Sequence, residues 1–265
     1  MPQAQFFSGW THARAATKFL GLLAWSAMLV PLQLLVLWRV LGRIDPYTIT
    51  KLWHRGVCVL IGLRVHITGV PLRADRMVYV SNHVSHFDIP VLGSVLKGSF
   101  VAKEDMARWP VAGFMARLQQ TVFISRDPRA GQAVADSIAE QLRNGRSLIL
   151  FPEGTTSDGS GVLPFKSMIF GILFAGDAAM SASAVQPLSI RVLGVDGRPV
   201  RSQADRDGYA FYGDMHAGAH AWAFLRSKGA SIEVRFANAI NAQAALDRKA
   251  LAQKAQAQVL AGLSD

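Results

Sequence analysis

The chain has 265 residues, 51% of them hydrophobic, enough for one sizeable core with an appendage. Its 28 Lys and Arg against 18 Asp and Glu leave a net charge of +10, which points to an anionic partner or surface. The single cysteine, Cys58, excludes an intrachain disulfide framework and a cysteine-based zinc site, in keeping with a reducing compartment.

From Phe19 to Leu41 run 23 residues with no charge until Arg39, long enough to cross a hydrocarbon core of about 30 Å. Pro31 falls near the middle. Basic residues flank the run, with Arg14 and Lys18 before it and Arg39, Arg43, Lys51 and Arg55 after. The run is too long for a signal peptide and no small-residue cleavage site follows it. Two arrangements stay open. One is a single spanning helix with the rest of the chain on the cytoplasmic side. The other is a helix pair, 10–30 and 32–43, lying in one leaflet.

Beyond it the periodicities alternate. The pattern predicts a helix over 47–63, strands over 64–69 and 77–81, and a helix over 89–96. A strand over 99–102, a helix over 110–118 and a strand over 121–124 follow. In 128–144, Ala130, Val134, Ile138 and Leu142 recur every fourth position, an amphipathic helix starting at Pro128 and stopping before Gly145. A buried-type strand occupies 147–151. Segments 169–175, 185–192, 216–226 and 231–236 continue the alternation around a polar loop at 194–208, and an Ala-rich helix closes at 244–263. Strands alternating with helices predict an α/β fold, a mixed sheet flanked by helices, behind an N-terminal membrane helix or helix pair. Residues 1–63 read as a membrane-anchoring helical region and 64–265 as the domain that carries the chemistry.

Two polar knots interrupt the apolar pattern, each just after a strand: Asn82-His83-Val84-Ser85-His86-Phe87-Asp88 and Phe151-Pro152-Glu153-Gly154-Thr155-Thr156. A histidine that takes a proton from an alcohol needs one ring nitrogen free and a carboxylate on the other. His83 and Asp88 meet that need if a short loop folds the carboxylate back onto the ring. The plainer alternative makes Asp88 a helix N-cap and His83 a surface residue.

The two knots stand in order with Val122-Phe123-Ile124-Ser125-Arg126 between them and Val185-Gln186-Pro187 after them. Together these four blocks resemble the glycerolipid acyltransferases of the 1-acyl-sn-glycerol-3-phosphate (lysophosphatidate) type over about residues 65–240. The resemblance implies transfer of a fatty acyl group from a thioester, on acyl-carrier protein or coenzyme A, to the free hydroxyl of lysophosphatidate, giving phosphatidate in phospholipid biosynthesis. It implies His83 as the base, oriented by Asp88, with no metal and no cofactor beyond the acyl co-substrate. Arg126 matches the family's phosphate-binding position and Lys103 a lysine at the acceptor pocket. Glu153, Gly154 and Thr155 form a turn whose amides and hydroxyl approach the headgroup. Ser85 reads as a loop-stabilising hydroxyl rather than a nucleophile, His86 as lining or structural, and Pro187 as shaping a strand edge. Thr156 departs from the family, which commonly has arginine there, and Lys166 is the candidate replacement charge. Acyltransferases acting on lyso-ornithine lipid share the architecture, and the run Thr155–Gly159 is similar to that branch, so both acceptors stay open. A lipid hydrolase or a non-catalytic lipid-binding protein is the remote alternative. The partners implied are membrane lipids, a lysophospholipid acceptor and the acyl thioester, with no nucleic acid, at the cytoplasmic face of the inner membrane.

Overall fold

In the computed structural model, residues 9–72, 76–125, 131–174, 184–242 and 245–264 are described. In chain order the α-helices of the described residues are α1 (Gly9–Leu37), α2 (Tyr47–Ile61), α3 (Asp88–Val95), α4 (Pro110–Leu118), α5 (Gly131–Arg143), the short α6 (Gln203–Arg206), α7 (Ala217–Arg226) and α8 (Arg248–Ala261), with 3-10 turns at Glu104–Arg108 and Ser167–Phe174. The strands are β1 (Leu63–Thr68), β2 (Val78–Ser81), β3 (Ser99–Lys103), β4 (Val122–Ile124), β5 (Leu148–Leu150), β6 (Ala184–Val195), β7 (Arg198–Pro199), β8 (Ala230–Phe236) and β9 (Ile240–Asn241). They form one mixed sheet in the order β1-β8-β6-β2-β5-β3-β4, with β7 and β9 also paired to β6.

The centre of the sheet is parallel. β2 pairs in parallel with both β5 and β6, and β3 with β5 and β4. Central strands covered on both faces read as unbroken apolar runs rather than alternations, and every residue of β2 and β5 is buried. Val78 and Val80 point to a core formed with α5 and α8, whereas Tyr79 points to the opposite core, shared with α2, α3 and α7. That is a three-layer arrangement. Antiparallel pairing enters where β8 inserts between β1 and β6, running parallel to β1 and antiparallel to β6.

Two expectations change here. Helix α1 runs unbroken through Pro31 to Leu37, so there is no second helix over 32–43; the partner of α1 is α2. Pro31 removes one helical hydrogen bond, but side chains on either side of it fix the path. Trp25 Nε1 donates to Trp53 O at 3.1 Å, and Gln33 Nε2 to Leu118 O at 2.9 Å. Pro187 does not shape a sheet edge. It lies within the central strand β6, where the antiparallel partner changes from β9 to β8.

Helix α1 is tied to the rest of the chain along its length. Arg14 Nη1 donates to Arg226 O at 3.2 Å, and Lys18 Nζ to Ile61 O at 2.7 Å and Ser227 O at 3.0 Å. α1 and α2 touch so closely at Gly56 that a Cβ there would run into the Trp25 indole. Its other sides carry exposed apolar residues, Leu20 at 63%, Leu23 at 52% and Met28 at 53%.

Candidate active site

The first polar knot starts with a substitution of side chain for backbone. Asn82 Oδ1 accepts the Ile190 N–H at 2.8 Å and its Nδ2 donates to Ile190 O at 3.0 Å. The amide thus extends the pairing of β2 with β6 past Ser81 and lets the main chain turn away. The loop 83–87 then folds over Asp88, the first residue of α3. Asp88 is fully buried and gathers four donors. Its Oδ2 accepts from Val84 N at 2.7 Å, Ser85 N at 2.9 Å and His83 Nδ1 at 2.8 Å. Its Oδ1 accepts from the Tyr209 hydroxyl at 2.8 Å.

This geometry decides between the two readings of Asp88: its carboxylate holds the loop and the imidazole. A carboxylate oxygen only accepts, so the proton of neutral His83 sits on Nδ1 and the Nε2 lone pair stays free. The ring stacks on Phe151, with centroids 3.9 Å apart and planes 14° apart, which fixes its remaining freedom. The His83 side chain keeps 17% of its surface. Burial, and next the neighbouring Asp88, push the Tyr209 phenol well above its ordinary value, so it stays a donor.

The second knot locks onto the first. The Ser157 N–H donates to His83 O at 2.8 Å, and the His83 N–H donates to Glu153 Oε1 at 3.1 Å. Glu153, expected to face an acceptor headgroup, is instead 2% exposed beneath the loop. The amide of Gly154 is also committed, to Phe151 O at 3.0 Å. Gly154 has a φ of 70°, and a Cβ there would lie 2.5 Å from Lys166 Nζ. A side chain would therefore displace the lysine that comes closest to the turn. Thr155 is exposed, and with Gly154, Thr156 and Lys166 it borders the opening.

That opening belongs to a cavity of about 1080 Å³, lined mostly by apolar side chains. It runs from His83 and Phe151 past Phe100 and Trp53 to Leu29 and Gln33 of α1. Lys103, at the end of β3, stands on its wall, as do Ile124 and Ser125. Arg126 lies outside the described residues. His86 also borders the cavity, among the rings of Phe87, Phe211 and His220, and burial lowers its pKa to about 4. Ser85 is fully buried and its Oγ accepts from the Phe87 N–H at 3.4 Å, which agrees with a loop-stabilising part. Sequence reasoning missed Tyr209 and Phe151. Tyr209 stands 121 positions from Asp88 and no local pattern marks it.

Burial raises the Glu153 carboxyl to about 7, against the pull of the His83 amide. A raised carboxyl pKa means the fold favours the protonated form, so this contribution to stability is full at low pH and is lost as pH rises through about 7. Glu153→Gln keeps the acceptor for His83 and removes the ionisation. Its melting temperature should fall less than that of the wild type between about pH 5 and pH 7, the span between the unfolded and folded pKa values. Equal falls would mean that Glu153 is not held neutral under the loop.

Residues 63–191 match the family model described as Acyltransferase. The chain is 36% identical to a lyso-ornithine lipid O-acyltransferase of Rhizobium meliloti, over 91% of this chain and 82% of that protein. It is 30% identical to a 1-acyl-sn-glycerol-3-phosphate acyltransferase of Neisseria meningitidis, over 80% of this chain and 79% of the relative. The crystal structure of the 1-acyl-sn-glycerophosphate acyltransferase of Thermotoga maritima shares the fold, with a TM-score of 0.64 at 21% identity over 94% of this chain and 96% of that one. The chain belongs to the acyltransferase family that includes the 1-acyl-sn-glycerol-3-phosphate acyltransferases, and it is an O-acyltransferase of lysolipids.

Proposed function

We propose that the chain transfers a fatty acyl group from a thioester, on acyl-carrier protein or coenzyme A, to the free hydroxyl of lyso-ornithine lipid. The observation that carries the chemistry is the His83 ring, locked through Nδ1 to Asp88 at 2.8 Å with Nε2 free at the cavity. Nε2 takes the proton of the acceptor hydroxyl as its oxygen attacks the thioester carbonyl. The tetrahedral intermediate collapses to the ester, the C–S bond breaks, and the imidazolium returns the proton to the leaving thiolate. The charge that forms on His83 in between is met by the buried Asp88. The apolar cavity, slightly larger than the roughly 300–1,000 Å³ of typical small-molecule sites, takes the hydrocarbon.

Two observations support lyso-ornithine lipid over lysophosphatidate. Thr156 stands where the family commonly has an arginine, so the turn beside His83 lacks one cation for a phosphomonoester. Relatives that bear the lyso-ornithine name match at 36% and 37% identity over 91% of this chain. The second reading, lysophosphatidate, draws on Lys103 and Lys166 at the cavity and on Arg126. Purified protein offered both acceptors in mixed micelles separates the readings: the faster acceptor at equal concentration is the substrate.

In either case Arg126 is expected to bind rather than react. Arg126→Ala should raise the apparent KM for lysophosphatidate more than it lowers kcat, because it removes binding common to ground and transition states. The loss should be smaller with a phosphate-free acceptor, and equal losses would assign Arg126 to the fold alone.

We place the protein at the cytoplasmic face of the inner membrane. Arg14, Lys18, Trp25 and Gln33 tie α1 to the rest of the chain over about 28 Å of helix. A helix held sideways along that distance lies in one leaflet, with Leu20, Leu23 and Met28 toward the acyl chains. The exposed apolar side of α1 then faces the lipid while 64–265 carry the chemistry, over one shared core.

A further inference from the structure

A second cavity, of about 910 Å³, lies at the opposite end of the parallel strands. Ser147 and Leu96, on its wall, come just before β5 and β3, whereas His83 and Phe151 come just after β2 and β5. Nothing in the acyl transfer uses it. Its charge is one-sided: Arg39, Arg43, Lys51, Lys97 and Arg146 face one carboxylate, Asp45, which Lys97 already holds at 2.7 Å. Arg146 is oriented by its bond to Gln141 Oε1 at 3.0 Å. The guanidinium groups of Arg39 and Arg43 make no hydrogen bond or ion pair to another described residue.

Arg39 is also strained. It has a φ of 59°, the left-handed region just past the end of α1, where glycine is the usual choice. The residues around these arginines are apolar and open to solvent. Trp38 is 70% exposed, Val40 63%, Leu41 41% and Ile44 44%. They continue the exposed apolar side of α1, and an exposed tryptophan beside arginines is the composition of a headgroup-level belt.

We propose that this cavity seats the phosphate of an intact anionic diacyl phospholipid, making a second lipid site remote from the reacting one. The phosphodiester bears one negative charge and two free oxygens, which Arg39 and Arg43 take as charge-assisted hydrogen bonds. Its acyl chains lie along Trp38, Leu41 and Ile44, in the same leaflet as α1. A free phosphate would leave that apolar lip uncovered, and a zwitterionic lipid would bring a second cation against five. The lipid so held fixes the C-terminal end of α1 at headgroup depth.

Native mass spectrometry of the full-length protein in a neutral detergent tests this, with phosphatidylglycerol and phosphatidylcholine added separately. A one-to-one phosphatidylglycerol adduct is expected, with phosphatidylcholine bound far less. The double variant Arg39→Ala/Arg43→Ala should lower the adduct by about tenfold or more. Arg198→Ala/Arg201→Ala, which removes equal charge from the exposed strand β7 and the turn after it, should leave it intact. Melting temperature and acyl transfer in micelles should stay unchanged in both variants, which separates this site from the reacting one. Equal losses in the two variants would reduce the effect to net charge, and equal binding of phosphatidylcholine would remove the anionic requirement. Full displacement of the lipid by excess inorganic phosphate would overturn the lipid assignment in favour of a phosphate site.

Discussion

His83→Ala should lower acyl transfer by about 10²–10⁴-fold, the usual contribution of a positioned general base, and leave membrane binding as it was. The side chain is 17% exposed and donates only to Asp88, so its removal disturbs little besides the chemistry. Asp88→Asn should also slow turnover strongly, through a different route. Four donors converge on the buried carboxylate. An amide can neither satisfy all of them nor stabilise the imidazolium, and its NH₂ would favour the wrong His83 tautomer. Initial rates on both variants are the measurement, with thermal melting alongside to separate chemistry from folding. More than about a hundredth of the wild-type rate in His83→Ala would remove His83 from the role of base.

Deleting residues 1–37 should abolish the folded state, not merely the membrane contact. Ala15, Leu29 and Val36 of α1 are 0%, 3% and 4% exposed, and burying a large apolar side chain is worth about 1.5–3 kcal/mol. The hydrogen bonds from Arg14, Lys18, Trp25 and Gln33 add about 0.5–1.5 kcal/mol each. Together these terms rival the roughly 5–15 kcal/mol by which a domain is stable at all. The deletion also removes the Leu29 and Gln33 wall of the reacting cavity. The expected result is an aggregated protein with no cooperative melting transition in detergent. A soluble, melting, active truncation would return α1 to the status of a detachable anchor, as its composition alone suggests.

What the sequence makes legible follows from range. His83 and Asp88 lie five positions apart in one loop, so the residues between them dictate their meeting. The apolar runs of β2 and β5 mark central parallel strands, and their ends mark where the polar knots emerge. Long-range partners leave no such trace. The insertion of β8 between β1 and β6 depends on which strands find each other across the chain, and periodicity is blind to it. Tyr209 reaches Asp88 from 121 positions further along the chain. Glu153 is misread for a subtler reason: a Pro-Glu-Gly-Thr turn is polar in composition, yet its carboxyl group accepts an amide from the neighbouring loop and is buried there. Pro187 looks like an edge residue because proline lacks a donor, but a strand that changes partners tolerates one within the sheet.

The tie between Lys18 and Ser227 has a consequence for how the chain is made. These residues stand 209 positions apart, so α1 leaves the ribosome well before the part of the sheet domain it pairs with. At about 5–20 residues per second, α1 waits roughly 10–40 s for that partner. Its apolar sides are exposed throughout, and a bilayer is the surface most able to shelter them. Attachment to the membrane would then precede folding of the catalytic core, and the enzyme would assemble on the lipid rather than arrive there complete.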